Sequence, residues 1–198
     1  MLDTDLALPH LYEIEELLEL PGTGTFDVPL LYFPRTENRP DHCGLWLKIR
    51  AASGRSWVGV FASGYPSPPA FSRVVSSPDP NRACVISSGA AYIVNTDEPE
   101  TWEQVPIIPA LEIRVIPEHQ LLVLADFTKL AAYGNSGLAW RSPQVCWNEL
   151  KILSVAQDVI EGVGYDPTNL GQLRFAVDIK TGRSLLLSPV STDGKPLW

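Results

Sequence analysis

The sequence predicts an all-β fold, mainly antiparallel meanders and hairpins in stacked sheets, with one short N-terminal helix. The sheets form either a sandwich or a small propeller-like arrangement. Three observations lead there. Apolar and polar residues alternate in short runs such as "GLWLKIRA", "LEIRVI" and "LKILSV", which is the period of a half-buried strand. Turns containing glycine ("ASG", "GNSG", "KTG") separate the runs and supply the left-handed backbone that short hairpin loops require. The 18 prolines among 198 residues are nearly twice the usual share of about 5%. Proline cannot donate to a central ladder, so these mark loops and strand ends.

Taken in order, "PHLYEIEELLELPG" is the helix candidate. Leu11, Ile14, Leu17 and Leu18 recur at helical spacing, Pro9 suits a first turn and Pro21-Gly22 a stop. An alternating pattern through Tyr12, Ile14, Leu18 and Leu20 competes with it, and Glu16 interrupts that pattern. Next, "GLWLKIRA" and "RSWVGVFA" flank the turn at 52–54 and read as a hairpin. The Pro/Ser-rich stretch over 65–82 reads as a long surface loop. It is where a subdivision would fall in what is otherwise one β-rich domain over 1–198.

The C-terminal half is more regular, with strands expected at "LEIRVI", "LLVLAD", "KLAAY", "GLAWRS", "LKILSV", "VIEGVG", "LRFAVDI" and "RSLLLS". The runs "LLVL" (121–124) and "LLL" (185–187) do not alternate, which predicts strands covered on both faces. A weak repeat runs through the chain. "LAAYGNSGLAW" and "FAVDIKTGRSLL" share a plan, with Gly137 and Gly182 45 residues apart. Trp57 follows Gly54 by three places, as Trp140 follows Gly137, and "AYIVNTDEPETW" reads as a degenerate copy. Periods of this length suit multi-strand blades.

The stretch "AVDIKTG" resembles the Ala-x-Asp-x-x-Thr-Gly turn of quinoprotein-type propeller repeats. It departs from them where Leu186 stands in place of the tryptophan expected after the turn. In the first hairpin Tyr133 replaces the aspartate. The resemblance covers about a dozen residues per copy, and it implies no cofactor.

Composition narrows function. A net charge of −8 with dispersed basic residues argues against nucleic acid and against anionic membrane surfaces. It leaves a protein partner, and a basic one in particular. The start has no basic region followed by an apolar run, no stretch is long enough to span a bilayer, and the three cysteines form no CxxC pair. These features point to a reducing cytoplasm and away from zinc ribbons. The three histidines share no ligand spacing, and "STDGKP" is a turn signal, so no metal and no cofactor are expected. "PGTGTFD" is half of a dinucleotide fingerprint and lacks the helix that would follow it. Adjacent His42 and Cys43 would point to opposite faces of an extended segment, which removes His42 as a base for the thiol.

Two constellations remain. Glu161 and Asp178 would face one another across a hairpin, a pairing suited to glycoside chemistry beside Tyr165. "AWRSPQVCWNE" brings Trp140 and Trp147 close in sequence, with Arg141 able to stack on a ring and Glu149 following. Trp140 reads as core, while Trp147 begins a loop surface. The candidate binding surface is therefore Arg141, Trp147, Glu149, Glu161, Tyr165 and Asp178. The function expected is a non-catalytic protein-interaction module. The alternatives are a carbohydrate or small-molecule binder using exposed tryptophan, and a carboxylate-dependent hydrolase.

Overall fold

The computed structural model describes residues 2–18, 25–34, 43–65, 71–168 and 171–189. Pro21-Gly22, the first part of the Gly-x-Gly turn, Asp41, His42 and the "STDGKP" turn lie outside them. Apart from one 3-10 turn, the regular secondary structure among the described residues is all strand, in four sheets. The first sheet contains β2 (Tyr12–Glu16), β3 (Leu30–Phe33), β4 (Gly44–Ala51) and β5 (Ser56–Ala62), in the order β2-β4-β5-β3.

The second sheet joins β1 (Asp3–Asp5) to β6 (Arg73–Ser76), β7 (Arg82–Ser87), β8 (Ala90–Asn95) and β9 (Trp102–Gln104). A one-turn 3-10 helix, Pro117–His119, lies between the first two strands of the third sheet. That sheet runs β10 (Glu112–Ile116), β11 (Leu121–Ala125), β12 (Leu130–Gly134) and β13 (Gly137–Arg141). The fourth runs β14 (Asn148–Ala156), β15 (Val159–Asp166), β16 (Gly171–Asp178) and β17 (Ser184–Pro189). Pairing is antiparallel except for β1 on β6 and β3 on β5.

Three apolar clusters stack these sheets face to face in chain order. Leu47, Ile49 and Trp57 of the first sheet meet Val74, Val85 and Tyr92 of the second. From the second, Val75, Cys84 and Ile93 meet Ile113, Leu122 and Tyr133 of the third. From the third, Val123, Ala132 and Trp140 meet Ile152, Ile160 and Phe175 of the fourth. The two middle sheets are covered on both sides, so successive residues such as Leu122, Val123 and Leu124 are all buried, as the unbroken "LLVL" run requires.

Three expectations are corrected. Residues 12–16 form a strand, not a helix. Tyr12 and Ile14 pack toward the second sheet, and Leu11 and Leu18, counted to a helix's apolar face, are exposed. An isolated helix of that length is marginal in water, whereas the β4 edge offers a ladder from Tyr12↔Ala51 to Glu16↔Leu47. Glu16, which interrupts the alternation, accepts the Leu2 N–H at 2.8 Å. Second, the expected loop over 65–82 contains β6, whose Val74 and Val75 are buried between two sheets. Third, Leu185, Leu186 and Leu187 are exposed, because β17 is the edge strand of the last sheet in the stack.

The repeat has a structural counterpart. Trp57 donates its indole N–H to the carbonyl of Thr96 at 2.8 Å, and Trp140 donates to Ile179 at 2.7 Å. Each bond spans 39 residues and crosses to the turn after β8 or β16 of the following sheet. That turn is built alike in both places. Asn95 accepts the N–H groups of Asp97 and Glu98, and Asp178 accepts those of Lys180 and Thr181. Trp140 reaches its place through a bulge. Leu138 pairs with Tyr133 and Trp140 with Ala132, so the extra residue Ala139 turns the indole toward the fourth sheet.

Candidate functional site

The crossing from the third to the fourth sheet, residues 142–147, builds the most distinctive surface. Pro143 keeps the chain out of the ladder. Ser142 Oγ accepts the Leu130 N–H at 2.9 Å and donates to the Pro143 carbonyl at 2.7 Å. Val145 N–H reaches the Thr128 carbonyl at 2.9 Å, and Cys146 Sγ donates to the Phe127 carbonyl at 3.3 Å. Val145 and Cys146 are buried. Gly164 makes room for the second of them, since a Cβ there would lie 2.4 Å from Cys146 Cβ. Trp147 is left facing out, 61% exposed, while its own N–H is pinned to the Tyr165 carbonyl at 2.9 Å.

A groove of about 370 Å³ opens beside this indole. Leu173, Leu187 and Val145 supply apolar walls, and Gln144, Asp166 and Thr168 supply polar ones. The Thr168 N–H donates to Asp166 Oδ1 at 2.9 Å, which fixes the turn at that rim. Glu149 lies two residues beyond Trp147, exposed, in a β14 bulge and with left-handed backbone (φ 56°). An aromatic face, carboxylates and an apolar floor suit an amphipathic group carrying a positive charge.

Of the residues proposed from sequence, only Trp147 lines this groove; the Tyr165 carbonyl accepts its backbone N–H, and Glu149 lies two residues further along the chain. Tyr165 is half-buried opposite Asn148. Arg141 ends β13 opposite Ala131, exposed, before the crossing begins. Glu161 and Asp178 belong to the other end of the fourth sheet and do not face each other. Register sets Glu161 against Ala176, and Asp178 against Val159. Ser154 Oγ donates to Glu161 at 3.0 Å. The Thr181 hydroxyl, followed by the N–H groups of Thr181 and Lys180, holds the Asp178 carboxyl below its usual range. Gln144, Thr168 and Leu187 were not singled out from sequence, and only the "LLL" run carried a signal for one of them.

The buried thiols are poor nucleophiles. Burial pushes Cys146 up to about 11, with its hydrogen bond to the Asn148 backbone opposing and Asp126 adding to the rise. Burial alone pushes Cys84 up to about 12.

No family model matches the sequence, and no curated protein matches it. Among solved structures, the chain is similar to one chain of a complex of S. cerevisiae Dbp5 with Nup159, Gle1, IP6 and ADP. That likeness has a TM-score of 0.40 at 9% identity, covering 97% of this chain and 53% of that one. It is also similar to the N-terminal domain of Nup159, with a TM-score of 0.39 at 9% identity, covering 97% and 55%. The chain thus spans about half the length of the solved chains it matches. No helix among the described residues is long and apolar enough to cross a membrane.

Proposed function

We propose that this chain is a non-catalytic interaction module, a small propeller-like stack of sheets that engages another protein through the Trp147 surface. The observation that carries the reading is the combination at Trp147 of an exposed indole and a backbone fixed by the Tyr165 carbonyl. A large aromatic held rigid at the surface loses little entropy on binding, which is how interface anchors behave. Glu149 and the rim residue Asp166 favour a partner that presents Lys or Arg to the ring. Cys84 and Cys146, buried as thiols in separate clusters, suit a reducing compartment.

The test is site-specific photocrosslinking from a benzophenone residue at position 147, with the captured protein identified and then produced pure. Binding of that protein should weaken at least about ten-fold for Trp147→Ala, as for an interface anchor. An identified partner that binds Trp147→Ala and wild type equally would overturn the reading.

A second reading, a carbohydrate binder, draws on Gln144, Asp166 and Thr168 lining the groove beside the indole. Saturable quenching of Trp147 fluorescence by a soluble glycan would favour it. The hydrolase alternative rests on Glu161 and Asp178, which register sets diagonally on one face rather than directly opposite, and which Ser154 and Thr181 already engage.

A further inference from the structure

We infer that the free edge of β17 takes on a further strand, an extended segment of the partner in which Lys or Arg stands next to a large apolar residue. The inference rests on the Trp147 reading and deepens it, because this edge divides the groove beside that indole from a second depression. Register puts Leu187 against Phe175, on the face turned to the third sheet, and Leu186 against Ala176, on the outer face. Leu187 borders the Trp147 groove of about 370 Å³. Leu186 borders a depression of about 150 Å³, with Leu153, Glu161 and Arg174 around it. Side chains alternate between faces along a strand, so a segment laid beside β17 would send adjacent residues into the two depressions in turn.

The backbone is placed to receive it. Among the described residues, β17 has a neighbour only on its β16 side. Its bulge falls at Leu185, and the ladder from Leu186 to Pro189 is regular. Pro189 pairs with Leu173 yet has no N–H to give to β16. It therefore holds a position whose backbone groups turn to the free side, and by alternation so does Leu187. The Leu187 N–H and C=O are the donor and acceptor that an added strand would bond.

The other edges are guarded. Strands β1, β2, β10, β13 and β14 each expose a charge, at Asp3, Glu13, Arg114, Arg141 and Lys151. β9 is three residues long, and β3 leaves no side chain exposed. Charge and shortness are the usual protections of a sheet edge. β17 has six residues, no charge, and Leu185, Leu186 and Leu187 exposed by 56%, 46% and 48%.

Each depression selects its occupant. Beside Trp147, a Lys or Arg would lay its stem on Leu173 and Leu187 and bring its charge to the ring and to Asp166. The outer depression has the volume of a cavity that accepts benzene, about 150 Å³, so it takes one large apolar side chain.

A library of short linear peptides panned on the full chain supplies the probe. Selected peptides should place Lys or Arg beside a large apolar residue. The best binder is then remade with each backbone amide methylated in turn. Affinity should fall about ten-fold at every second amide and hold at those between, because only alternate amides would face β17. Leu187→Pro should weaken binding about ten-fold beyond Leu187→Ala, which keeps the N–H, with near-ultraviolet circular dichroism confirming both folds. No selected peptide, a methylation scan without period two, or equal losses for the two variants overturns the inference. So does a chain that is already a dimer and becomes monomeric with Leu187→Pro, since a second copy then takes the edge. A peptide weakened by Trp147→Ala but lacking the period of two would sink the edge pairing and leave the Trp147 reading standing.

Discussion

Trp140 lies flat against Gly182: a Cβ built on that glycine would come within 2.4 Å of the indole Cε3. The indole N–H reaches the Ile179 carbonyl beside it at 2.7 Å. One glycine of the fourth sheet therefore seats the tryptophan of the third.

Gly182→Ala should be far more damaging than Gly54→Ala, although both glycines have positive φ. At Gly54 (φ +86°) a Cβ meets nothing within 4 Å, so the cost is the backbone alone, about 1–2 kcal/mol. At Gly182 (φ +69°) the methyl also collides with a buried ring, and the total should reach about 3–4 kcal/mol. Urea denaturation of the two variants measures the difference. Equal costs would remove the packing role.

Trp57→Phe and Trp140→Phe should each cost about 2–3 kcal/mol, because each loses ring volume and strands a buried carbonyl. The two indoles belong to different clusters with no shared partner. The double variant should therefore be additive within about 0.5 kcal/mol. A coupling energy beyond that would mean the clusters communicate.

Tyr133→Phe should be neutral or stabilise the protein by up to about 1 kcal/mol. Its hydroxyl is buried without a hydrogen-bond partner among the described residues. Removing it relieves a desolvated polar group and leaves the ring in place. Thermal unfolding reads the sign directly, and a clear loss of stability would point to a partner for the hydroxyl.

A thiol reagent at pH 8 should modify Cys43 quickly in the native protein and reach all three cysteines only in denaturant. Cys43 is exposed. Cys84 and Cys146 are buried, with pKa values pushed up to about 12 and about 11. They present almost no thiolate at that pH. Native modification of two or more thiols per chain would contradict this.

Asp178 should contribute to the acid limb of stability. Its carboxyl is held below the unfolded value, so its contribution is present above that value, near pH 3.9, and is lost as pH falls through the lower folded value. The stability gap between wild type and Asp178→Asn should therefore narrow as pH drops below about 4. A gap constant from pH 7 to pH 2 would show that charge plays no part in the turn.

How far the sequence could be read depended on which force set each feature. Strands β4, β5 and β10 to β17 were legible because period-two alternation or an unbroken apolar run is imposed directly by burial. Residues 12–16 were misleading because Leu11, Ile14 and Leu18 mimic a helix face, and the β4 edge that overrides it is remote in sequence. β6 was hidden by its Ser and Pro flanks. Trp140 was legible as core, yet the bulge at Ala139 that aims it leaves no mark on the alternation. The pairing of Glu161 with Ala176 depends on how many residues the β15–β16 turn absorbs, so facing carboxylates could not be deduced. Of the groove's lining, the candidate surface read from sequence contained only Trp147; Glu149 and Tyr165 flank that indole in the chain and across the ladder without lining the groove.

The two tryptophan bonds divide the molecule unevenly. The first and second sheets are tied by Trp57 and by Tyr92, whose hydroxyl donates to the Ala62 carbonyl at 3.0 Å. The third and fourth are tied by Trp140 and by Arg114, which donates to the Ile152 carbonyl at 3.3 Å. Between them, no side chain among the described residues is shown hydrogen-bonding across the second-to-third junction. That junction is apolar contact plus the backbone bond from the Ala110 N–H to the Gly89 carbonyl, and it contains the Tyr133 hydroxyl, unpartnered among those residues. Mechanically, the chain is two doublets in series. Pulled from its ends, it would yield first at that central plane, because side-chain hydrogen bonds resist shear and greasy contact slides.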